Sequence, residues 1–378
     1  MISSKNEDKY LFNPFEIAFC GFSGSGKTTL ICQLLKKFSD SINIGYVKHD
    51  AHKFEMDYEG KDTNKAYLNG ASGVFINDKE HNAYIAKGNI DFLQQKTIML
   101  EYDWVFIEGY KNSTAKKILF INSEEINNYN NIEEDFKNII AFIGEDESKP
   151  TNLNTNKPYF NRNEIEKIAD FIKNTMEDEG KKIPLYGLVL SGGYSTRMSK
   201  DKSTLNYHGK PQYQITADLL SNFCEKTFIS SREDQKDKFE NYEVVSDVFK
   251  NFGPMGGILS AMSLYPKLAK KSAWLVLACD LPYLKKEDLE IIVKNRNVFR
   301  NSTVYINDGM PEPLCAIYEP KIKTRMLGFL AQGYSCPRKV LINSAVEKIT
   351  LENTIALTNV NHSEEYTQAL NYFNPKGE

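Results

Sequence analysis

Two glycine-rich stretches of this 378-residue chain carry residue types suited to handling phosphate. Gly21-Phe22-Ser23-Gly24-Ser25-Gly26-Lys27-Thr28 satisfies the GxxxxGK-Ser/Thr pattern at every position. In such a loop the backbone N–H groups close around phosphate oxygens, a following helix N-terminus adds a favourable field, Lys27 reaches terminal phosphates, and the Thr28 hydroxyl offers Mg²⁺ a hard oxygen. The second stretch, Leu190-Ser191-Gly192-Gly193-Tyr194-Ser195-Thr196-Arg197-Met198 followed by Asp201-Lys202, has another logic. Its glycines permit close backbone approach to a triphosphate. Arg197 and Lys202 bring two cations to charge that moves from an α-phosphate onto leaving pyrophosphate, which is the demand of nucleotidyl transfer.

Such a transfer also needs carboxylates to hold Mg²⁺ through hard oxygens. Asp280 follows the apolar run Trp274–Cys279 and precedes Leu281-Pro282, a strand-end position where α/β sheets bind ligands. Asp247 follows Val244-Val245-Ser246 and precedes Gly253-Pro254-Met255-Gly256-Gly257, whose glycines open space for a nucleotide. In the first half, Trp104-Val105-Phe106-Ile107 ends at Glu108-Gly109, so Glu108 is either the metal-side carboxylate of the P-loop or a turn carboxylate facing solvent. Lys48-His49-Asp50-Ala51-His52 follows another strand; two histidines three apart are a weak metal signal, and phosphate contact or surface polarity are the other readings.

These groups need strands and helices to position them. Apolar runs predict strands at 15–20, Ile42–Lys48, Gly73–Ile76, Trp104–Glu108 and Ile139–Ile143, then at Leu185–Leu190, Lys226–Ser230, Glu243–Val245 and Trp274–Ala278, with helix-compatible stretches between them. The fold class is therefore α/β: a P-loop NTPase-like domain followed by a Rossmann-like nucleotidyltransferase domain. A helix over Glu164–Asn174 closes the first domain. The charged, glycine-containing segment 176–182 reads as a linker, which sets the boundaries at 1–175, 176–182 and 183–378.

Length agrees with two domains at roughly 150 residues each. The net charge of −3, with both signs mixed along the chain, argues against a broad nucleic-acid face. No apolar run reaches the roughly 18 residues that span a bilayer, and residues 1–10 lack an apolar signal core, so a cytoplasmic protein without a membrane anchor is expected. The six cysteines form no C-x-x-C pair and read as free thiols.

Gly21–Thr28, Lys48–His52, Gly60-Lys61-Asp62 and Phe106-Ile107-Glu108-Gly109-Tyr110-Lys111 together resemble the molybdopterin-guanine dinucleotide biosynthesis adaptor family, over roughly Phe15–Lys173. The resemblance implies a dimeric GTP-binding accessory domain with weak hydrolysis. His49 and His52 stand where that family often has a denser histidine run. Leu190–Lys202, Asp247 with Gly253–Gly257, Cys279-Asp280-Leu281-Pro282 and Asn359–Glu365 resemble the molybdenum cofactor guanylyltransferase family, with Ser191 in place of a common alanine and Ser199 of a common glycine. This implies that Leu190, Ser191, Gly192, Lys202 and Asp247 contact GTP and that Asp280 binds Mg²⁺. Gly193 continues the same turn.

The expected reaction is GMP transfer from GTP to molybdenum-carrying molybdopterin, with the first half assisting cofactor synthesis or its delivery to molybdoenzymes or other cofactor-synthesis proteins. Two alternatives stand beside it: a cytidyl or sugar-phosphate nucleotidyltransferase, and a nucleotide-regulated adaptor without catalysis.

Overall fold

A computed structural model of the chain describes residues 15–48, 58–88, 92–122, 126, 132–191, 202–207, 209–239, 241–264 and 272–374. The chain divides into two compact units. One comprises Glu16–Leu100 and Val105–Ile165; the other is built mainly of Glu166–Glu378 and also takes in Glu101–Trp104.

The strands of the first unit are β1 (Glu16–Cys20), β2 (Ile44–Lys48), β3 (Gly73–Asn77), β4 (Asn82–Ala86), β5 (Trp104–Glu108), β6 (Lys116–Phe120), β7 (Ile139–Gly144) and β8 (Tyr159–Asn161). Six of them form one sheet in the order β2-β5-β1-β6-β7-β8, while β3 and β4 make a separate antiparallel ribbon. The pairs β1/β5, β1/β6, β6/β7 and β7/β8 are all parallel. A parallel strand is covered on both faces, which is why Ile17–Cys20 and Val105–Ile107 read as continuous apolar runs. Helix Lys27–Phe38 buries Leu30, Ile31, Leu34 and Phe38, a stripe at the three- and four-residue spacing of one helix face.

In the second unit β9 (Leu185–Leu190), β10 (Lys226–Ser231), β11 (Glu243–Ser246), β12 (Ala273–Ala278), β13 (Ser302–Asn307), β14 (Met310–Tyr318) and β15 (Val346–Thr350) form a seven-stranded sheet ordered β11-β10-β9-β12-β14-β13-β15. Strands β9 to β12 pair in parallel, and β14 runs antiparallel to both β12 and β13. Trp274 anchors the core between Tyr186 and Phe228, with ring centroids 5.5 and 5.4 Å away. Such aromatic pairs add about 0.5–1.5 kcal/mol each beyond the area they bury.

Several expectations change. Helix Ile165–Lys181 runs through most of the segment read as a linker. Ile168, Ala169, Ile172, Met176 and Gly180 continue one buried stripe through it, while Lys173 pairs with Glu177 and Lys181 with Asp178 on its exposed side. Charge there marks the wet face of a helix rather than a break in it. Strand β6 opens on two lysines, and β14 carries Pro311, Glu312 and Pro313, all unfavourable strand signals. Lys117 is nonetheless fully buried, because its ammonium donates to the carbonyls of Ser113, Ala115 and Lys137.

One buried ion pair ties the entry of β9 to the exit of β14. Arg296 holds Glu319 by two bonds of 2.7 and 3.0 Å and donates to the Ile183 carbonyl at 3.2 Å, with Glu319 wholly buried. Removing one partner strands a charge, at a cost of about 3–5 kcal/mol. Glu319→Ala is therefore expected to lower the unfolding free energy of the second unit by that order, read as a drop in its urea midpoint at unchanged m, and Arg296→Met/Glu319→Leu to recover most of the loss. A Glu319→Ala protein with an unchanged midpoint would contradict this.

Candidate functional site

Each unit gathers its polar residues at the carboxyl ends of parallel strands. In the first, β1 ends at Cys20 and Gly21 turns away with φ of +143°; a side chain at Gly21 would meet Phe120 Cβ at 2.7 Å and its carbonyl oxygen at 2.8 Å. Glycine is the residue that fits. Ser23, Gly24, Ser25 and Gly26 carry the loop into helix Lys27–Phe38, whose first N–H groups have no partner within the helix. The Lys27 ammonium lies across the loop, donating to the Phe22 carbonyl and, at 3.1 Å, to Ser25 Oγ.

Thr28 and Glu108 are brought together. Thr28 Oγ1 donates to the two Glu108 carboxylate oxygens at 2.9 and 3.0 Å, Tyr46 donates to Oε2 at 2.7 Å, and the Lys48 ammonium stands 3.7 Å from Oε1. Glu108 is buried, so it is not the solvent-facing turn carboxylate that its position also allowed. Burial first, and then the Glu108 hydrogen bond and charge, push the Tyr46 phenol up, which keeps it a donor. Tyr46 was not singled out from the sequence. Its signal is its place two residues before Lys48 on β2, since residues i and i+2 share a strand face. His49 and His52 lie outside the described residues.

In the second unit, register does the positioning. Leu190 ends β9 level with Ser230 of β10 and Ala278 of β12. Ser191 therefore leaves the sheet beside Cys279-Asp280, and Cys279 N–H donates to the Leu190 carbonyl at 3.4 Å. The Ser230 carbonyl accepts from both the N–H and the hydroxyl of Ser191, at 3.1 and 2.8 Å. The Ser230 hydroxyl donates to Asp247 Oδ1 at 2.9 Å, and Asp247 N–H donates to the Ser231 carbonyl at 3.1 Å. Gly257 lies against this knot: a Cβ there would sit 2.5 Å from Ser230 Oγ and 3.5 Å from Asp247 Oδ1. Burial raises the Asp247 carboxyl, opposed by the Ser230 bond and by the charge of Arg232.

Chain order reverses between β9 and β12: β10 and β11 extend the sheet on one side of β9, and β12 lies on the other. Ligands of open α/β sheets bind at such switch points; here Ser191 follows the end of β9 and Asp280 the end of β12. The Asp280 carbonyl also accepts from Val360 N–H at 2.8 Å, which draws in the closing Asn359–Glu365 segment, where Glu365 accepts from the N–H groups of Asn361 and His362. Sequence reasoning missed Ser230 and Glu312. Glu312 is buried on β14, accepts from Leu314 N–H at 3.1 Å and pairs with Arg338 at 3.3 Å. Burial raises its carboxyl, with the Asp280 charge acting the same way. The prolines on either side of Glu312 hid the strand that carries it. Gly192, Gly193 and Arg197 lie outside the described residues, as does the side chain of Lys202, whose backbone opens the short turn Lys202–Thr204.

Comparison with known proteins agrees with this division. Residues 16–145 match the family model of molybdopterin guanine dinucleotide synthesis protein B, MobB, and residues 187–346 match the MobA-like NTP transferase domain. A molybdenum cofactor biosynthesis bifunctional protein of Synechocystis sp. is 38% identical over 208 residues, 52% of this chain and 59% of that protein, so the match spans less than two thirds of the relative's length. A probable molybdenum cofactor guanylyltransferase of Bacillus cereus is 26% identical over 192 residues, 48% of this chain and 94% of that one. Among solved structures, molybdopterin-guanine dinucleotide biosynthesis protein A of Archaeoglobus fulgidus aligns with 50% of this chain and 97% of its own at 23% identity and a TM-score of 0.43. The MobB of Bacillus subtilis aligns with 43% of this chain and 97% of its own at 26% identity and a TM-score of 0.35. The chain thus carries a MobB-like domain followed by a MobA-like NTP transferase domain.

Proposed function

We propose that the second unit transfers GMP from GTP to the terminal phosphate of molybdenum-carrying molybdopterin, giving molybdopterin guanine dinucleotide and pyrophosphate, and that the first is a GTP-binding adaptor for synthesis or delivery of that product. The observation that carries this reading is that Ser191 and Asp247 are joined through Ser230, with Asp280 following the neighbouring strand β12, at the switch point of a sheet whose sequence matches the MobA-like transferase domain.

The reaction needs no covalent enzyme intermediate. An oxygen of the pterin phosphate forms a bond to the α-phosphorus of GTP as the bond from that phosphorus to the β-phosphate bridging oxygen breaks, and the electron pair leaves with pyrophosphate. The protein's work is alignment and charge compensation. Arg197 and Lys202 are assigned to the phosphates, and the turn from Leu190 through Gly193, with Asp247, to the nucleotide. Mg²⁺ is the proposed metal; when bound it would offset negative charge on the triphosphate. The donor chemistry suits it: Mg²⁺ is commonly held by one or two carboxylates together with substrate phosphates, and Asp280 is a carboxylate that follows the end of β12. Asp280 is the carboxylate assigned in this unit, and Thr28 beside Glu108 in the first.

The reading also takes the protein to be cytoplasmic; among the described residues no helix is long and apolar enough to cross a membrane. Dimerisation through the first unit is part of it; Leu68, Phe75, Ile76 and Tyr84, all exposed, on and beside the β3/β4 ribbon, are apolar surface of the kind that contacts a partner.

Purified protein with Mg²⁺, GTP and molybdenum-loaded molybdopterin is expected to release pyrophosphate and form the dinucleotide together. Asp280→Asn should reduce turnover by about 10²-fold or more while circular dichroism stays unchanged, by analogy with the loss of other preorganised electrostatic partners. No product from GTP, or faster product from CTP, would overturn the guanylyl assignment. Gly257→Ala should displace Ser230 and with it Asp247, lowering kcat/KM for GTP on the order of 10²-fold, as ångström-scale misplacement does; wild-type kcat/KM in a folded Gly257→Ala protein would remove Asp247 from the GTP site.

A further inference from the structure

Beside the P-loop lies a cavity of about 150 Å³ that the loop's own role leaves unused. Ser23, Gly24 and Ser25 form one side of it, and the carboxyl ends of β6 and β7, with Glu145 and Arg162, form the other. Sites for whole drug-sized ligands run to roughly 300–1,000 Å³, so this space is on the scale of one heterocycle.

Its polar rim is held by several bonds. Asn161 Nδ2 donates to the carbonyls of Glu145 and Asp146 at 2.7 and 3.2 Å, the Tyr159 hydroxyl donates to the Asp146 carbonyl at 3.1 Å, and Arg162 N–H donates to the Gly144 carbonyl at 2.8 Å. Position 144 admits only glycine, since a Cβ would lie 2.3 Å from the Tyr159 hydroxyl and 2.9 Å from the Ile121 carbonyl oxygen. A segment at the protein surface is thus fixed in place while two of its side chains reach solvent. Glu145 Oε1 and Arg162 Nη1 are 2.6 Å apart, and both side chains are substantially exposed. The guanidinium borders the loop: a Cβ on Gly26 would stand 3.8 Å from Arg162 Nη1.

We infer that this cavity is the base subsite of the nucleotide whose phosphates the P-loop holds, and that Glu145 and Arg162 select guanine. The inference rests on the proposal that the P-loop binds GTP. Guanine presents two adjacent donors, N1–H and the 2-amino group, beside the O6 acceptor. A carboxylate accepts from the first two and a guanidinium donates to the third, whereas adenine turns its N1 acceptor and 6-amino donor the wrong way round. An exposed ion pair is worth little by itself, so exchanging its partners for a base edge costs little. Mismatched polar groups in a site built for hydrogen bonding are rejected strongly, which makes the pair a selector.

The test uses the full chain and equilibrium dialysis with labelled GTP, ATP and xanthosine triphosphate, scoring only the binding component that Lys27→Ala removes, so that nucleotide on the second unit is set aside. Glu145→Ala is expected to reduce the GTP-over-ATP preference of that component tenfold or more. Glu145→Gln should strengthen xanthosine triphosphate binding, because xanthine carries an acceptor where guanine has its amino group and the glutamine amide can donate to it; a merely damaged loop could not produce that gain. An unchanged GTP/ATP ratio in Glu145→Ala, or equal weakening of both nucleotides in Glu145→Ala and Arg162→Ala without the xanthosine gain, overturns the base assignment and leaves the P-loop reading standing. Absence of any Lys27-dependent component overturns both.

Discussion

Strand β9 is hydrogen-bonded in parallel on both sides, to β10 through the register Ser230↔Leu190 and to β12 through Ala278↔Leu190, and the polar residues of the second unit depend on that double pairing. Because Leu190 is level with Ser230 and with Ala278, the chain leaving β9 runs between the Ser230 carbonyl, which takes the Ser191 N–H and hydroxyl, and the Cys279 N–H that precedes Asp280. Asp247 is added one strand further out, from β11, and is held by its own N–H to Ser231 as well as by its carboxylate to Ser230. A shift of β10 by one residue would turn Ser230 to the other face of the sheet and lose Ser191 and Asp247 in one step. The Arg296–Glu319 pair, remote from these residues, fixes the Ile183 carbonyl just before β9 and so fixes where β9 begins.

The first unit reaches a similar end through a carboxylate. Glu108 is buried at the end of β5, and the neighbours of β5 provide what it needs: β1 leads through the loop to Thr28, and β2 supplies Tyr46 and Lys48. A buried ionised carboxylate would be costly without such partners. With them it is a fixed acceptor that takes the Thr28 hydroxyl. The same sheet order places β6 and β7 on the opposite side of β1 from Glu108, which separates the carboxylate from the Glu145–Arg162 rim.

How much of this was legible in the sequence follows from how local each constraint is. The P-loop could be read outright, since its demands fall on eight consecutive residues and concern their own backbone. Parallel strands sealed on both faces, such as Trp104–Glu108 and Leu185–Leu190, were also plain, because their burial leaves an unbroken apolar run. Strand β6 was hidden by Lys116 and Lys117, whose charge argues for surface; the carbonyls that absorb the Lys117 ammonium come partly from Lys137, twenty residues on. Helix Ile165–Lys181 was cut short because a run of charge outweighed a stripe of well-separated small and apolar residues.

Ser230 and Gly257 show why the rest could not be read. A serine at the end of a short strand and the second glycine of a pair are each unremarkable, and they are 27 positions apart in a chain where many such residues have no special role. Only the folded sheet puts a Cβ of residue 257 at 2.5 Å from the Ser230 hydroxyl and that hydroxyl at 2.9 Å from Asp247. Gly257 is therefore a glycine for a different reason from Gly21. Gly21 needs a backbone conformation and also clears Phe120, whereas Gly257 in its helix needs only the missing methyl, because the volume it would fill is already occupied by the serine that orients a carboxylate. A motif can record the first kind of constraint within itself. The second is a property of packing between elements, and it ties Ser230 on β10 to a helix residue 27 positions further along the chain.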